Sequence, residues 1–285
     1  MNVLIYLIVA TIAFTTFEPF SKLITDTLSP EAITGIRFLL GGIMLFPLAF
    51  RDIKKKELKI TGKDYLVLSF LGILCICISM LSLQQGVKLA PSPAVIAIIF
   101  SVNSIITLIL ASFILKEKIT LWKGLATVAC VVGIGIMFNP HAGANVVSIS
   151  FALVAAVTFS LFTVFSKKVN ARLSPVITSA VAFTVGGFIL FVISFFKGNP
   201  LTGEIDFQVI WVMLYLIIVV TGVGYIAFFK AMEKGGAIAA SLVFFVKPIL
   251  TPFVTWIVNG IVPDWKVFLA LAFIMIGSYL GLYKK

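Results

Sequence analysis

The sequence is poor in charge. Lys, Arg, Asp and Glu make up 12% of its 285 residues, against 61% hydrophobic residues and a mean hydropathy of +1.17. Soluble domains carry about 25% charged residues, so a water-soluble fold is excluded. Histidine is nearly absent, with His141 alone in the short Asn139-Pro-His-Ala-Gly143 connection. The three cysteines, Cys75, Cys77 and Cys130, lie in apolar runs without His or acidic neighbours. They read as packing residues, so neither a metal site nor a disulfide framework is expected. Clustered His, Asp or Glu of the kind that acid–base or metal chemistry needs are missing, which argues against an integral-membrane enzyme. Nothing resembles a Gly-rich phosphate loop, so direct ATP hydrolysis and a bound cofactor are not expected. The short alternating segments of a membrane β-barrel are missing too.

What the chain does have is a series of apolar runs. Each is about 20 residues long, enough to cross a ~30 Å hydrocarbon core as a helix. Helices satisfy their own backbone groups in lipid, where open sheets do not. The runs between Gly, Pro and charge clusters predict an all-α integral membrane fold of ten transmembrane helices. The first five are Val3–Leu23, Pro30–Phe50, Tyr65–Gln85, Pro93–Leu115 and Trp122–Phe138. The second five are Ile149–Ser166, Pro175–Phe196, Val209–Phe229, Ala237–Val258 and Val267–Tyr283. The first run lacks a basic leader and matches an internal span, so it reads as a retained helix rather than a signal peptide.

Basic residues orient the spans. With the N-terminus inside, sixteen Lys and Arg fall at cytoplasmic connections, the densest being Arg51–Lys63, and only Lys88, Lys197 and Lys266 fall outside. The positive-inside rule then puts both termini in the cytoplasm (N-in/C-in) of a multi-pass protein of the cytoplasmic membrane. The net charge of +11 reflects this topology and contact with anionic lipid. The lipid bilayer is therefore an expected partner and nucleic acid is not.

The chain also repeats itself at an offset of 145 residues. Phe17-Glu-Pro-Phe-Ser-Lys22 returns as Phe162-Thr-Val-Phe-Ser-Lys167, and Leu28-Ser-Pro30 returns as Leu173-Ser-Pro175. Phe38-Leu-Leu-Gly-Gly42 returns as Phe183-Thr-Val-Gly-Gly187. Two repeats follow, residues 1–140 with spans one to five and residues 147–285 with spans six to ten. Five spans per copy invert the second copy relative to the first, an architecture typical of secondary transporters with a site between the halves.

Four charged residues depart from the scaffold. Lys22, Arg37 and Lys247 fall within or at the edge of spans, and Glu18 is the acid set inside a span. A charge at bilayer centre costs about 2.5–3.5 kcal/mol on insertion scales, so such residues face a cavity or a partner. Lys247 is near the middle of its span, beside Pro248, which frees a backbone carbonyl. Its counterpart in the first copy is Val102, next to Asn103. Lys247 and Asn103 are thus candidate substrate-binding residues near the pseudo-symmetry axis, with a structural ion pair the other reading of Lys247. Glu18 shares a helix face with Lys22, four residues on, and the two could pair. Glu18 is also the acid available to carry a coupling proton; pairing with Lys247 is the alternative. Arg37 can bind a carboxylate or phosphate bidentately, or clamp helix ends in a structural or gating role. Lys22 reads as an interfacial snorkeller with a gating or structural role, and Pro248 as a structural kink. Phe17, Tyr225, Phe244 and Phe245 lie near these groups and can line a cavity for an amphipathic solute. Gly277-x-x-x-Gly281 fits either close helix packing or a dimer interface, so monomer and homodimer both stand.

Together these features resemble the EamA-type branch of the drug/metabolite transporter superfamily. The resemblance rests on Lys22 at the end of the first span, Pro30 with Arg37-Phe38 in the second, and Ala94–Glu117 closing in Leu-Lys-Glu-Lys. In the second copy it rests on Ala239-Ala-Ser-Leu242 and Pro248. Where the family usually has Trp-Gly in the first span, this chain reads Thr16-Phe-Glu18-Pro; where the ninth span commonly has an acid before its proline, it has Lys247. The resemblance implies a carrier for a small organic metabolite, leaning towards export of an amino acid or related zwitterion or anion. A flippase for a lipid-linked or amphipathic substrate is the alternative.

Overall fold

The computed structural model describes residues 3–116, 124–125, 128–129, 131–132, 146–197, 203–263, 265, 269 and 272–273. Most of the spans expected at Trp122–Phe138 and Val267–Tyr283 lies outside the described residues, as do Cys130, His141 and Gly277–Gly281. The described residues are almost entirely helical. Among the described residues, seven helices are long and apolar enough to cross a membrane: α1 (Val3–Lys22), α2 (Pro30–Lys56), α3 (Gly62–Leu89), α4 (Pro93–Ile114), α5 (Val146–Asn170), α6 (Pro175–Phe196) and α7 (Phe207–Ala240). An eighth, α8 (Val243–Asn259), follows directly.

The repeated sequence motifs do the same structural work twice. Leu28-Ser-Pro30 and Leu173-Ser-Pro175 both start a helix, with Pro in the first turn, where its missing N–H costs nothing. Ser29 Oγ accepts from the Ala32 N–H at 3.2 Å, and Ser174 Oγ from the Ile177 N–H at 3.3 Å. The Ser-Lys pairs end in matching clasps. Lys22 Nζ donates to the carbonyls of Val87, Lys88 and Ala90 at 2.9–3.2 Å, and Lys167 Nζ to those of Met232 and Glu233. Each ammonium thereby satisfies orphan carbonyls at the end of a neighbouring helix. Lys22 is a cap of α3, and its ammonium is committed there rather than to Glu18.

The core is centred on α2 against α6. Phe38 and Phe183, 145 residues apart, meet edge to face with centroids 5.0 Å apart. A Cβ on Gly42 would lie 2.6 Å from the backbone nitrogen of Thr184, and one on Gly187 would lie 2.3 Å from that of Leu39. These two contacts exchange under the 145-residue offset. Both α3 and α7 contain a π-helical stretch, Ile73–Met80 and Leu216–Gly224, at overlapping positions of the two copies. Such stretches loosen the helical ladder and favour functional sites.

The link from α7 to α8 needs no loop. Along α7, Tyr215 bonds Thr16, Gly224 packs on Phe14 and Gly235 on Val3, so α7 runs antiparallel to α1. Along α8, Val243 lies near Leu7, Thr251 near Thr15 and Asn259 near Pro19, so α8 runs parallel to α1. The reversal falls at Gly236, whose φ of 86° places it where only glycine sits without strain. The expected ninth span at Ala237–Val258 starts on the next residue.

Replacing Gly187 or Gly42 with Ala pushes a methyl into the facing backbone and should cost about 1–3 kcal/mol. Thermal unfolding of the detergent-purified protein should show a lowered midpoint for both. Gly62→Ala, where the added carbon meets nothing within 4 Å, should leave it unchanged.

Candidate functional site

Where helical hydrogen bonds fail, polar groups collect. In α1 the ladder breaks at Thr16, and Pro19 cannot donate to the carbonyl of Thr15. That carbonyl instead faces Thr251 Oγ1 at 3.5 Å, and the Pro19 carbonyl accepts from Asn259 Nδ2 at 3.2 Å. In α4 the ladder breaks at Ser101–Val102, and Asn103 Nδ2 turns back to the Phe100 carbonyl at 2.7 Å. In α8, Pro248 and Pro252 remove two donors, and Thr251 Oγ1 bonds the Lys247 carbonyl at 2.9 Å. All three breaks turn towards the middle of the bundle.

At their meeting point Lys247 and Glu18 form an ion pair, with side chains 2% and 0% exposed. Desolvating each ion costs several kcal/mol, and a close partner offsets that only when geometry is good. Arg37 is equally buried. Its guanidinium lies between two rings, 4.2 Å from the Phe17 centroid and 4.3 Å from that of Phe38. Cation–π attraction on both sides partly replaces the lost water. Its Nε and Nη1 have no hydrogen-bond partner, nor has Glu18 Oε2.

Beside these charges is a small cavity of about 20 Å³, room for a water-sized group. Its walls are Phe14 and Phe17 of α1, Arg37 of α2, Met80 and Leu83 of α3, and Phe100 of α4. Phe159 of α5, Val220 and Tyr225 of α7, and Phe244 and Lys247 of α8 complete it. The rings interlock: Phe244 lies within 5.1–5.8 Å of Phe14, Phe100, Phe159 and Phe228. Tyr225 Oη contacts Met80 Sδ at 3.2 Å, a meeting of two positions 145 residues apart.

Of the residues proposed from sequence, Lys247, Arg37, Tyr225, Phe17 and Phe244 line this cavity. Glu18 is one layer behind, bonded to Lys247 and not among the wall residues, and that pairing is the arrangement found. Asn103 is also set back. Its amide caps the broken end of α4 and its carbonyl accepts from Ser160 Oγ at 2.8 Å, while Phe100, three residues earlier, reaches the cavity. Pro248 is buried beside Lys247, and the side chain of Phe245 lies outside the described residues. Phe14, Met80, Leu83, Phe100, Phe159 and Val220 were not anticipated. A signal existed for half of them, because Phe14 and Phe159, like Met80 and Tyr225, are equivalent under the offset.

Two ion pairs flank the site at opposite ends of the bundle. Glu31 and Lys197 join the start of α2 to the end of α6 at 2.8 Å, and Asp64 of α3 pairs with Arg172, just after α5. Each ties residues of one copy to the other.

The sequence profile of the EamA-like transporter family matches residues 1–139 and again 146–283. The chain belongs to this family. An uncharacterized transporter of Clostridium kluyveri is 35% identical, the match covering 97% of this chain and 92% of that protein. The uncharacterized transporter YvbV of Bacillus subtilis is 29% identical over 82% of this chain and 76% of its own length. An S-adenosylmethionine uptake transporter of Rickettsia felis matches 52% of this chain, and 49% of its own length, at 28% identity. One crystal structure superimposes with a TM-score of 0.73, covering 99% of this chain and 97% of that one, at 16% identity, which speaks for the fold alone. For this EamA-like chain, family and relatives point to a membrane transporter rather than an enzyme.

Breaking the buried pair from one side leaves an uncompensated charge. Glu18→Gln and Lys247→Met should each destabilise the protein by about 3–5 kcal/mol, and the double variant should recover most of that loss. A double-mutant cycle of thermal unfolding with no coupling between the two would mean they do not pair.

Proposed function

We propose that this EamA-like transporter is a secondary carrier that moves a small organic metabolite across the cytoplasmic membrane by alternating access. The observation that carries the reading is the cluster of three buried charges, Glu18, Arg37 and Lys247, beside a small ring-lined cavity, built where helices α1, α4 and α8 lose their ladder. Broken helices around a central site are the usual way a carrier presents polar groups to a substrate inside a membrane. Two inverted halves, residues 1–140 and 147–285, would rock against each other about the α2–α6 contact. Contacts that exchange under the 145-residue offset, the paired π-helical stretches and the matching Lys22 and Lys167 clasps support such a relation. Breaking and remaking the Glu31–Lys197 and Asp64–Arg172 pairs in alternation would open one end at a time.

The substrate on this reading is an amino acid or a related zwitterion or anion, and the direction is export. Glu18 is the coupling group: a proton competes with Lys247 for its carboxylate, and the substrate's anionic group competes with Glu18 for Lys247. An apolar groove of about 330 Å³ between α1 and α8, lined by Leu4, Ile8, Leu242 and Val246 among others, is what a flippase would use. Thr11 is the groove's one polar wall residue, so it offers nothing to a charged headgroup, and the central cavity favours a small solute. S-adenosylmethionine, transported by the Rickettsia relative, bears a sulfonium cation, which a cavity lined by Arg37 and Lys247 would repel.

Purified protein in liposomes should take up a solute of this class, and an imposed pH gradient should accelerate that uptake. The Glu18→Gln/Lys247→Met double variant, folded but without the pair, should lose the acceleration. A response equal to wild type would remove Glu18 from coupling.

A further inference from the structure

The wall of the central cavity is rich in donors and short of acceptors. Arg37 and Lys247 line it, and neither side chain has an acceptor to offer. Tyr225, also on the wall, gives its hydroxyl hydrogen to Met80 Sδ at 3.2 Å, and a thioether is a weak acceptor. Arg37 Nε and Nη1 have no hydrogen-bond partner although the residue is 1% exposed, a costly state for a buried donor. The two nitrogens lie on different edges of the guanidinium, so a single-atom ligand answers one of them and not both. Charge is unbalanced as well. Glu18 offsets one of the two cations through its bond to Lys247, and among the described residues the wall has no acid. The cluster keeps one positive charge in excess, which the faces of Phe17 and Phe38 attract but do not neutralise. The space beside it, about 20 Å³, admits one water-sized group among rings already packed on one another.

We infer that this cavity is a site for one monatomic anion, chloride being the abundant one, which serves the buried cluster as counterion. Chloride is only a little larger than water and has no hydrogens of its own to place. It accepts from an Arg37 N–H and from the Lys247 ammonium, and the Tyr225 hydroxyl turns to it from Met80. A water would meet the same donors but, the Tyr225 oxygen apart, would find only a thioether and ring faces for its two hydrogens. It would also leave the excess charge in place, whereas the anion brings the cluster to neutrality, the state buried at least cost. Carboxylates, phosphate and sulfate exceed the space left in the bundle as packed. The site stands without the carrier reading, because it belongs to that packed bundle and not to the passage of a solute.

Thermal unfolding of the detergent-purified full chain tests the site, in sodium chloride against sodium gluconate of equal ionic strength. The midpoint should be higher in chloride and should saturate as its concentration rises. An ion present at about a hundred times its Kd multiplies the ratio of folded to unfolded protein about a hundredfold. Bromide should substitute for chloride, and gluconate, too large for the space, should not. Arg37→Gln removes the excess charge and should abolish the chloride dependence. Tyr225→Phe leaves every charge in place and should weaken the apparent chloride affinity about tenfold, the range of one hydrogen bond to a charged group. Crystals grown in bromide should show one anomalous peak within hydrogen-bonding reach of Arg37, a readout that needs no variant to fold. Equal midpoints in chloride and gluconate, a dependence that survives either substitution unchanged, or bromide bound only elsewhere as an adventitious ion overturns the site. Proteoliposome uptake separates this site from the carrier reading. Chloride-dependent stability without uptake sinks the carrier and keeps the site, whereas uptake by a protein indifferent to halide does the reverse.

Discussion

Burying charge in an apolar bundle is the constraint on which the rest of this structure depends. Three ionic side chains, Glu18, Arg37 and Lys247, are removed from water among helices whose other buried polar groups include many Ser and Thr hydroxyls, several of them bonded to their own helix's carbonyls. Each must find a partner or a ring face, or the bundle opens. Glu18 and Lys247 answer with an ion pair, and Arg37 with the faces of Phe17 and Phe38. Bringing Glu18 to Lys247 requires α1 and α8 to lie side by side. The prolines that interrupt both helices supply the local freedom; Thr251 faces the Thr15 carbonyl that Pro19 leaves free, and Asn259 donates to the carbonyl of Pro19 itself. The cavity is what remains when large rings surround charges that cannot be covered closely.

The scaffold that bears this load is made of pairs. Gly42 against Thr184 and Gly187 against Leu39 let two backbones approach closely, which in a membrane is the main source of helix affinity. Lys22 and Lys167 each hold the carbonyl end of a neighbouring helix. Around the cavity the pairing continues with Phe14 and Phe159, and with Met80 touching Tyr225. Charge breaks the pattern: Glu18 is matched by Thr163, Arg37 by Ala182 and Lys247 by Val102. The symmetric positions thus form the scaffold, and the asymmetric ones hold its buried charges.

Much of the scaffold is legible in the chain. Leu28-Ser-Pro30 and Leu173-Ser-Pro175 announce helix starts because a serine cap followed by proline suits only a first turn. Apolar run length is nearly sufficient to bound α2, α4 and α6, since lipid leaves few other ways to hide a backbone. The π-helical stretches are not legible, because no residue type compels a wider turn. The direct reversal at Gly236 is a milder case: a glycine permits a positive φ there but does not require one.

The candidate site divides along the same line. Sequence by itself determined the class of the fold and the short list of buried ionic residues, because each follows from transfer of local groups out of water. It also drew attention to Arg37, Lys247 and Tyr225, which reach the cavity. Tertiary structure alone decided that Glu18 meets Lys247 rather than Lys22, and that Asn103 caps a broken helix while Phe100 faces the cavity. It decided too that the cavity wall carries positive charge only. Those outcomes depend on which helix faces which across the bundle, and the partners of Glu18 and Lys22 stand 229 and more than 60 residues away. No local propensity encodes a partner at that distance; the packing of α1 against α3 and α8 selects it.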